Sequence, residues 1–136
     1  MTAWIYDGKE FHLDPNENWW GFVYLIHNTV ENKYYIGKKF FTKSKIRQVK
    51  GRKKKSRIDS DWRNYWGSSA AVVADVERLG HDAFTRTILH LCKTKAECSY
   101  WESFEIFQRN ALITSFYYND WISCRIRKAH LRNLYI

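Results

Sequence analysis

Trp20-Gly21-Phe22-Val23-Tyr24-Leu25-Ile26-His27-Asn28-Thr29-Val30-Glu31-Asn32-Lys33-Tyr34-Tyr35-Ile36-Gly37-Lys38-Lys39 is the stretch whose reading decides the fold. Two strand-like runs, 20–26 and 33–38, flank the polar segment 27–32, whose Asn and Thr residues suit a hairpin loop. A register symmetric about that loop sets Tyr24 opposite Tyr35, eleven residues on. Cross-strand partners share a face, so two phenols would stand side by side. With Lys38 and Lys39 directly after them, the pair suits deprotonation of a nucleophile near a phosphate. Taken singly, each tyrosine also fits an ordinary strand aromatic and each lysine a solubilising strand-end charge.

Upstream, residues 1–19 read as an N-terminal extension. Trp4, Ile5, Tyr6, Phe11 and Leu13 surround a turn at Asp7-Gly8, and Asp14-Pro15-Asn16 closes it. Downstream, 42–58 is a basic insertion without apolar periodicity, expected as a loop or weak helix. Nine of the fifteen residues from Lys43 to Arg57 are Lys or Arg and none is acidic. Gly67-Ser68-Ser69 then starts a helix with Val72, Val73, Val76 and Leu79 on one stripe and Gly80 as its stop. Phe84 to Leu91 alternates as a third strand. Thr94 and Glu97 form a capping box for a helix reaching about Arg109. Its stripe Ala96, Tyr100, Phe104 and Phe107 is expected to face the core, leaving Glu102 nearly opposite, bracketed by Cys98 and Ile106. A last basic helix, packed on the core, is expected after Asn119-Asp120, within 121–136. The order implies an α+β domain: a small antiparallel three-stranded sheet flanked by helices.

At 136 residues the chain is of single-domain size, and its aromatic content of 18% excludes disorder. The formal charge of +9 favours a polyanionic partner, nucleic acid before others. Cys92, Cys98 and Cys124 follow no disulfide-framework spacing, and His90 with Cys92 and Cys98 lacks the second close pair of a zinc site, so inert thiols are expected. Asp7, Lys9 and Glu10 are incompatible with a signal-peptide core, and no apolar run approaches the ~18 residues of a membrane span. A soluble, cytoplasmic protein is expected.

Over residues 20–120 these blocks resemble the GIY-YIG nucleases. Gly21-Phe22-Val23-Tyr24 stands for the first motif and Tyr35-Ile36-Gly37 for the second. Tyr65-Trp66-Gly67-Ser68-Ser69, the helix ending at Leu79-Gly80, Phe84 through Ile88-Leu89, Thr94 through Glu102 and Ile106, and Tyr118-Asn119 follow in the family's order. In style the chain is similar to the phage-encoded, homing-endonuclease-like branch. The resemblance implies a metal-dependent endonuclease that hydrolyses phosphodiesters of double-stranded DNA.

Carried over, Glu102 holds one Mg2+ (or Mn2+), an ion that keeps most of its waters. Tyr24 is the candidate base, provided that Lys38 and Lys39 lower its pKa from the ordinary ~10. Tyr35 positions the water or phosphate, and Asn119 orients Glu102 or caps a helix turn. The family's phosphate-binding arginine, about ten residues past the second tyrosine, is missing: Lys45 stands there, with Arg47 two beyond. The role is open among Lys38, Lys39, Lys45, Arg47 and Arg63, and lysine lacks the planar fork of arginine. Either a lysine of the second strand serves or an arginine comes from beyond the insertion. Lys43, Lys45, Lys50, Arg52, Lys53, Lys54, Lys55, Arg57 and Arg63 are the expected DNA-binding residues, with the C-terminal arginines adding affinity. With no room for a separate recognition domain, low or degenerate specificity is expected. The oligomeric state is open, because one site cuts one strand at a time. Two alternatives stand beside this reading. One is an inactive nucleic-acid-binding module of the same fold. The other is a phage protein-binding or inhibitory protein, whose binding would depend little on salt.

Overall fold

The computed structural model describes residues 3–136. Its central strand is β3 (Gly21–Asn28), buried at every position except Leu25 and His27, because both faces are covered. Antiparallel partners lie on either side, β4 (Lys33–Phe40) and β7 (Phe84–Cys92). Two short strands, β1 (Trp4–Tyr6) and β2 (Lys9–Glu10), extend the sheet beyond β7, with β1 running parallel to it. The order is β2-β1-β7-β3-β4. The sheet is therefore five-stranded and mixed, not three-stranded and antiparallel as the sequence suggested. Residues 4–10 supply the difference. Positive φ at Asp7 (51°) and Gly8 (78°) folds β2 back on β1 in a primed turn. Trp4 is only 3% exposed and donates its indole N–H to the Trp62 carbonyl at 2.8 Å, so the first strand is part of the core.

One core lies on the face of Phe22, Tyr24 and Ile26, where α1 (Ala70–Leu79) contributes Val72 and Val76 and the N-terminal strand contributes Trp4. Ser69 caps α1 by accepting from the Val72 amide, as its sequence implied. On the opposite face Val23, Ile36 and Cys92 meet Cys98 and Ile106 of α2 (Lys95–Gln108). Thr94 and Glu97 form the expected capping contacts, the Glu97 amide donating to Thr94 Oγ1 at 3.1 Å.

The orientation of α2 differs from expectation. Tyr100, Phe104 and Phe107 point outward, Phe107 being 67% exposed, and the buried stripe includes Cys98, Glu105 and Ile106. Burying a helix face that carries a carboxylate is tolerable because Glu105 accepts from His90 Nε2 at 2.7 Å and Arg109 Nε at 2.8 Å. This rotation brings Glu102 toward the sheet.

The basic insertion is neither loop nor helix. It forms a separate two-stranded antiparallel ribbon, β5 (Thr42–Val49) and β6 (Arg52–Asp59), turned by Lys50 (φ 50°) and Gly51 (φ 75°). Its lack of apolar alternation reflects a ribbon with no buried face, since all of it but Thr42 is exposed. At the C-terminus the expected α-helix is absent. Ile122 is drawn into the second core and residues 121–127 run without regular structure, before a 3₁₀ segment, Lys128–Leu134. That segment rests on α2 through Asn133, whose amide donates to Glu97 at 3.1 Å. Among the described residues no helix is long and apolar enough to cross a membrane.

Candidate active site

β4 is the edge of the sheet, and the candidate site is built across it. On the face of the first core, Tyr24 lies opposite Gly37 and Tyr35 opposite Ile26. The two tyrosines are thus diagonal neighbours rather than direct partners. The loop is shorter than expected, and pairing moves by two residues, which preserves the shared face. Their ring centroids are 6.2 Å apart. A register shift against β7 falls between Val23 and Tyr24, a local irregularity that re-aims the tyrosine.

Glycine makes this packing possible. A Cβ at residue 37 would fall on the Tyr24 hydroxyl and within 2.5 Å of Cζ. Gly67 (φ +93°) closes the other side, its Cβ direction 3.3 Å from Tyr35 Cε2. Tyr65, delivered by the segment before α1, packs edge-on to Tyr24 at 6.0 Å. Arg86 fixes that segment: its guanidinium donates to the Tyr65 and Arg63 carbonyls at 2.7 and 3.1 Å and lies over the rings of Trp4 and Trp66.

From the opposite face come Lys38 and Glu102. The Lys38 ammonium donates to Ser99 Oγ at 3.0 Å and stands 3.6 Å from Glu102 Oε1. The Lys38 backbone amide also acts on Glu102, favouring its charged form. The outward edge of β4 is satisfied at Tyr34 and Ile36. Tyr34 exchanges backbone hydrogen bonds with Phe116 and Tyr118 at 2.8 and 2.7 Å. Asn119 then accepts from the Ile36 amide at 2.9 Å and donates to its carbonyl at 2.8 Å. Asn119 thus hydrogen-bonds the β4 backbone rather than Glu102 and caps no helix; it holds the strand at Ile36, beside the cavity it shares with the glutamate.

Tyr35, Lys38, Glu102 and Asn119 line one cavity of about 830 Å³, shared with Tyr65, Ser68 and the first turn of α1. The Tyr35 hydroxyl is 3.0 Å from Ser68 Oγ. Tyr24 is fully buried behind this surface. Lys39 points to the other side of the edge, 2.7 Å from Asp61 and 4.0 Å over the Tyr65 ring. Neither Arg47 nor Lys45 lines the cavity, since both stand out on the ribbon. Arg63 lies over Trp62 and lines a different cavity, near the N-terminal strands. Lys43, Lys50, Arg52, Lys53, Lys54, Lys55 and Arg57 all belong to the ribbon or its turn.

Electrostatics separate these groups. Burial pushes the Tyr24 phenol well above its ordinary value, and nearby Tyr65, Tyr35 and Glu102 push it further. Tyr35 is raised by burial and by Glu102, with the Ser68 hydrogen bond opposing. The Tyr24 pKa is thus raised, not lowered as the sequence suggested, and the two ammonium groups are directed elsewhere, one at Glu102 and the other at Asp61. Burial also raises the Glu102 carboxyl, with Lys38 acting against it. A half-buried carboxylate coupled to two phenols across an edge strand is a place where added positive charge would be stabilised.

The site residues that sequence reasoning missed are Tyr65, Ser68 and Gly67. Their stretch was legible as a helix start, and the aromatic immediately before Gly67-Ser68 was the available signal. Asp120, exposed at the cavity rim beside Trp121, was likewise unassigned.

The α+β sheet thus brings paired tyrosines and a helix-borne glutamate together at its edge strand. The family profile described as "Putative endonuclease segE, GIY-YIG domain" matches residues 4–122, and the chain belongs to this GIY-YIG endonuclease family. No curated protein and no solved structure matches the chain.

Proposed function

We propose that the protein is a divalent-metal-dependent DNA endonuclease that hydrolyses phosphodiester bonds at the β4 edge. The observation that carries this reading is the shared cavity: Tyr35, Lys38 and Glu102 reach it from opposite faces of the sheet, with the Tyr24 ring packed directly behind.

The donor set bears on the metal. Among the described residues no three His, Cys, Asp or Glu side chains cluster as a cage. A single carboxylate on a wide, polar cavity suits Mg2+ (or Mn2+), which retains water and takes further oxygens from a phosphate. Glu102 would hold the ion, with Asp120 at the rim as a second oxygen source. When bound, such an ion supplies positive charge at the scissile phosphate and reverses the influence of Glu102 on both phenols.

The chain's own groups then divide the work. Tyr35, which lines the cavity, orients the attacking water or a phosphate oxygen through its hydroxyl. Tyr24 keeps its proton in the resting protein. Burial is the main cause of its raised pKa, so service as base at its phenolic oxygen needs water admitted to that oxygen as well as neutralised charge at Glu102. Lys38, released from the carboxylate, contacts the phosphate as a point charge. Double-stranded DNA is the substrate, and low or degenerate specificity follows from cations that mostly meet phosphate. Each chain nicks one strand, so a double-strand break takes two events or two copies.

Supercoiled plasmid incubated with and without Mg2+ tests this reading. Relaxation or linearisation only with metal, lost in Glu102→Gln, is expected. Retardation of the plasmid without cutting under either condition would identify a binding module instead.

A further inference from the structure

The β5–β6 ribbon is the largest feature that the cleavage site leaves unexplained. An isolated two-stranded hairpin is marginal in water, and this one opposes like charges directly, Arg47 against Lys54. Its register sorts the cations onto both faces. Lys43, Lys45, Arg47, Arg52 and Lys54 share one face, while Lys53, Lys55 and Arg57 share the other. A ribbon laid flat along one DNA backbone needs cations on one face only. Positive charge on both faces fits a channel with negative walls on two sides.

We infer that the ribbon inserts into the major groove of duplex DNA and that its outer half contacts base edges. Eight-residue strands span about 25 Å, and a major groove about 12 Å wide admits a two-stranded ribbon. Between the cations the ribbon exposes groups that phosphate binding does not need. Ile46 is 60% exposed, Val49 and Ile58 are also exposed, and Gln48 stands near the turn. Glutamine pairs with adenine, arginine with guanine, and aliphatic carbons with the thymine methyl, all in the major groove. Arg47 on one face and Gln48 and Ile46 on the other are thus the base-contacting set, reached from both sides of the inserted ribbon, and any sequence preference originates there.

The base of the ribbon leads to the cleavage site. Arg57 is fixed over the Trp20 ring at 4.4 Å and donates to Thr42 and Ser44. With Lys38, Lys39, Lys43 and Lys95 it lines a cleft of about 440 Å³, and Lys38 also lines the Glu102 cavity. A phosphate backbone following this cleft passes from the groove-bound ribbon to Glu102. The inference rests on the nuclease reading for its substrate, not for its geometry.

The test is dimethyl sulfate probing of a saturated complex between end-labelled duplexes and Glu102→Gln protein without metal. Methylation at guanine N7 reports the major groove and at adenine N3 the minor groove. The expected result is about tenfold protection of N7 over roughly one helical turn, with N3 unchanged. It should disappear in an added Arg47→Ala/Gln48→Ala pair, whose exposed positions leave the fold intact. Unprotected N7 at saturation, or protection of N3 instead, would overturn the inference. The two readings fail separately. Wild-type protein that cuts plasmid without N7 protection sinks the ribbon assignment alone. Ribbon-dependent N7 protection without metal-dependent cutting sinks the nuclease reading alone.

Discussion

Gly37→Ala is the smallest perturbation that strikes the phenol pair directly. The backbone of residue 37 is ordinary strand, so the substitution acts through space and not through φ. Its new Cβ would lie 2.5 Å from Tyr24 Cζ and closer still to the hydroxyl, whereas ordinary contact begins at 3.4 Å. The ring must therefore retreat by about 1 Å. Retreat is costly, because Tyr24 is fully enclosed by Trp4, Phe22, Tyr35 and Tyr65. Overpacking of this kind costs about 1–3 kcal/mol, or a fall in Tm of about 3–10 °C for a chain of this size. Displacement of reacting groups by about 1 Å costs on the order of 10²-fold in rate. Thermal unfolding followed by circular dichroism, with single-turnover cleavage of supercoiled plasmid, reads both effects. Removing the hydroxyl as well, in Gly37→Ala/Tyr24→Phe, should recover part of the stability and none of the activity. A Gly37→Ala protein with wild-type Tm and rate would refute the claim that the phenol is held against this glycine.

Tyr24→Phe should lower the cleavage rate by about 10²–10⁴-fold and flatten the alkaline rise of the pH–rate profile, because the candidate base is gone. An unchanged profile would remove Tyr24 from the proton path. Glu102→Gln should abolish Mg2+-dependent cutting without lowering stability at neutral pH. Burial raises the carboxyl's pKa, so folded protein binds its proton more tightly than unfolded protein does. Wild-type stability is therefore full below the ordinary ~4.3 and falls as pH rises through the raised value, and urea titrations should show the Gln variant gaining on wild type over that window. Asn119→Ala removes both hydrogen bonds to Ile36 and should cost about 1–3 kcal/mol in urea unfolding, while Asp120→Ala, at the exposed rim, should cost under about 0.5 kcal/mol. Finally, if the ribbon neutralises about five phosphates, log K should fall with log salt at a slope near −4 to −5, and each removed cation should reduce the slope by about one.

The sequence carried the elements with strong local signals. Val23-Tyr24 and Tyr35-Ile36-Gly37 announced the hairpin, and Ser69, Thr94 and Gly80 marked helix ends that the structure reproduces within a residue. What escaped was decided by partners distant in the chain. Trp4–Tyr6 is too short for alternation to register, and becomes a strand only because β7 offers it an edge. The choice of buried face on α2 turned on His90 and Arg109 satisfying Glu105, which no periodicity reveals. Glu102 was nonetheless visible as an acid between Cys98 and Ile106, the very residues that pack inward. Tyr24 and Tyr35 were legible as a same-face pair, but their two-residue offset depends on loop geometry. The ribbon was unreadable for a different reason: with no buried face it has no apolar pattern, and its structure is written in Lys50-Gly51 and in charge.

The central claim is that Glu102 binds a divalent cation in the cavity at the β4 edge. Crystals soaked in Mn2+ and measured at the manganese absorption edge examine it without recourse to activity. The account predicts an anomalous peak on the Glu102 carboxylate, beside Tyr35 and displacing the Lys38 ammonium, and no peak there in Glu102→Gln crystals. Manganese bound only elsewhere, with Lys38 still paired to an empty Glu102, would contradict it.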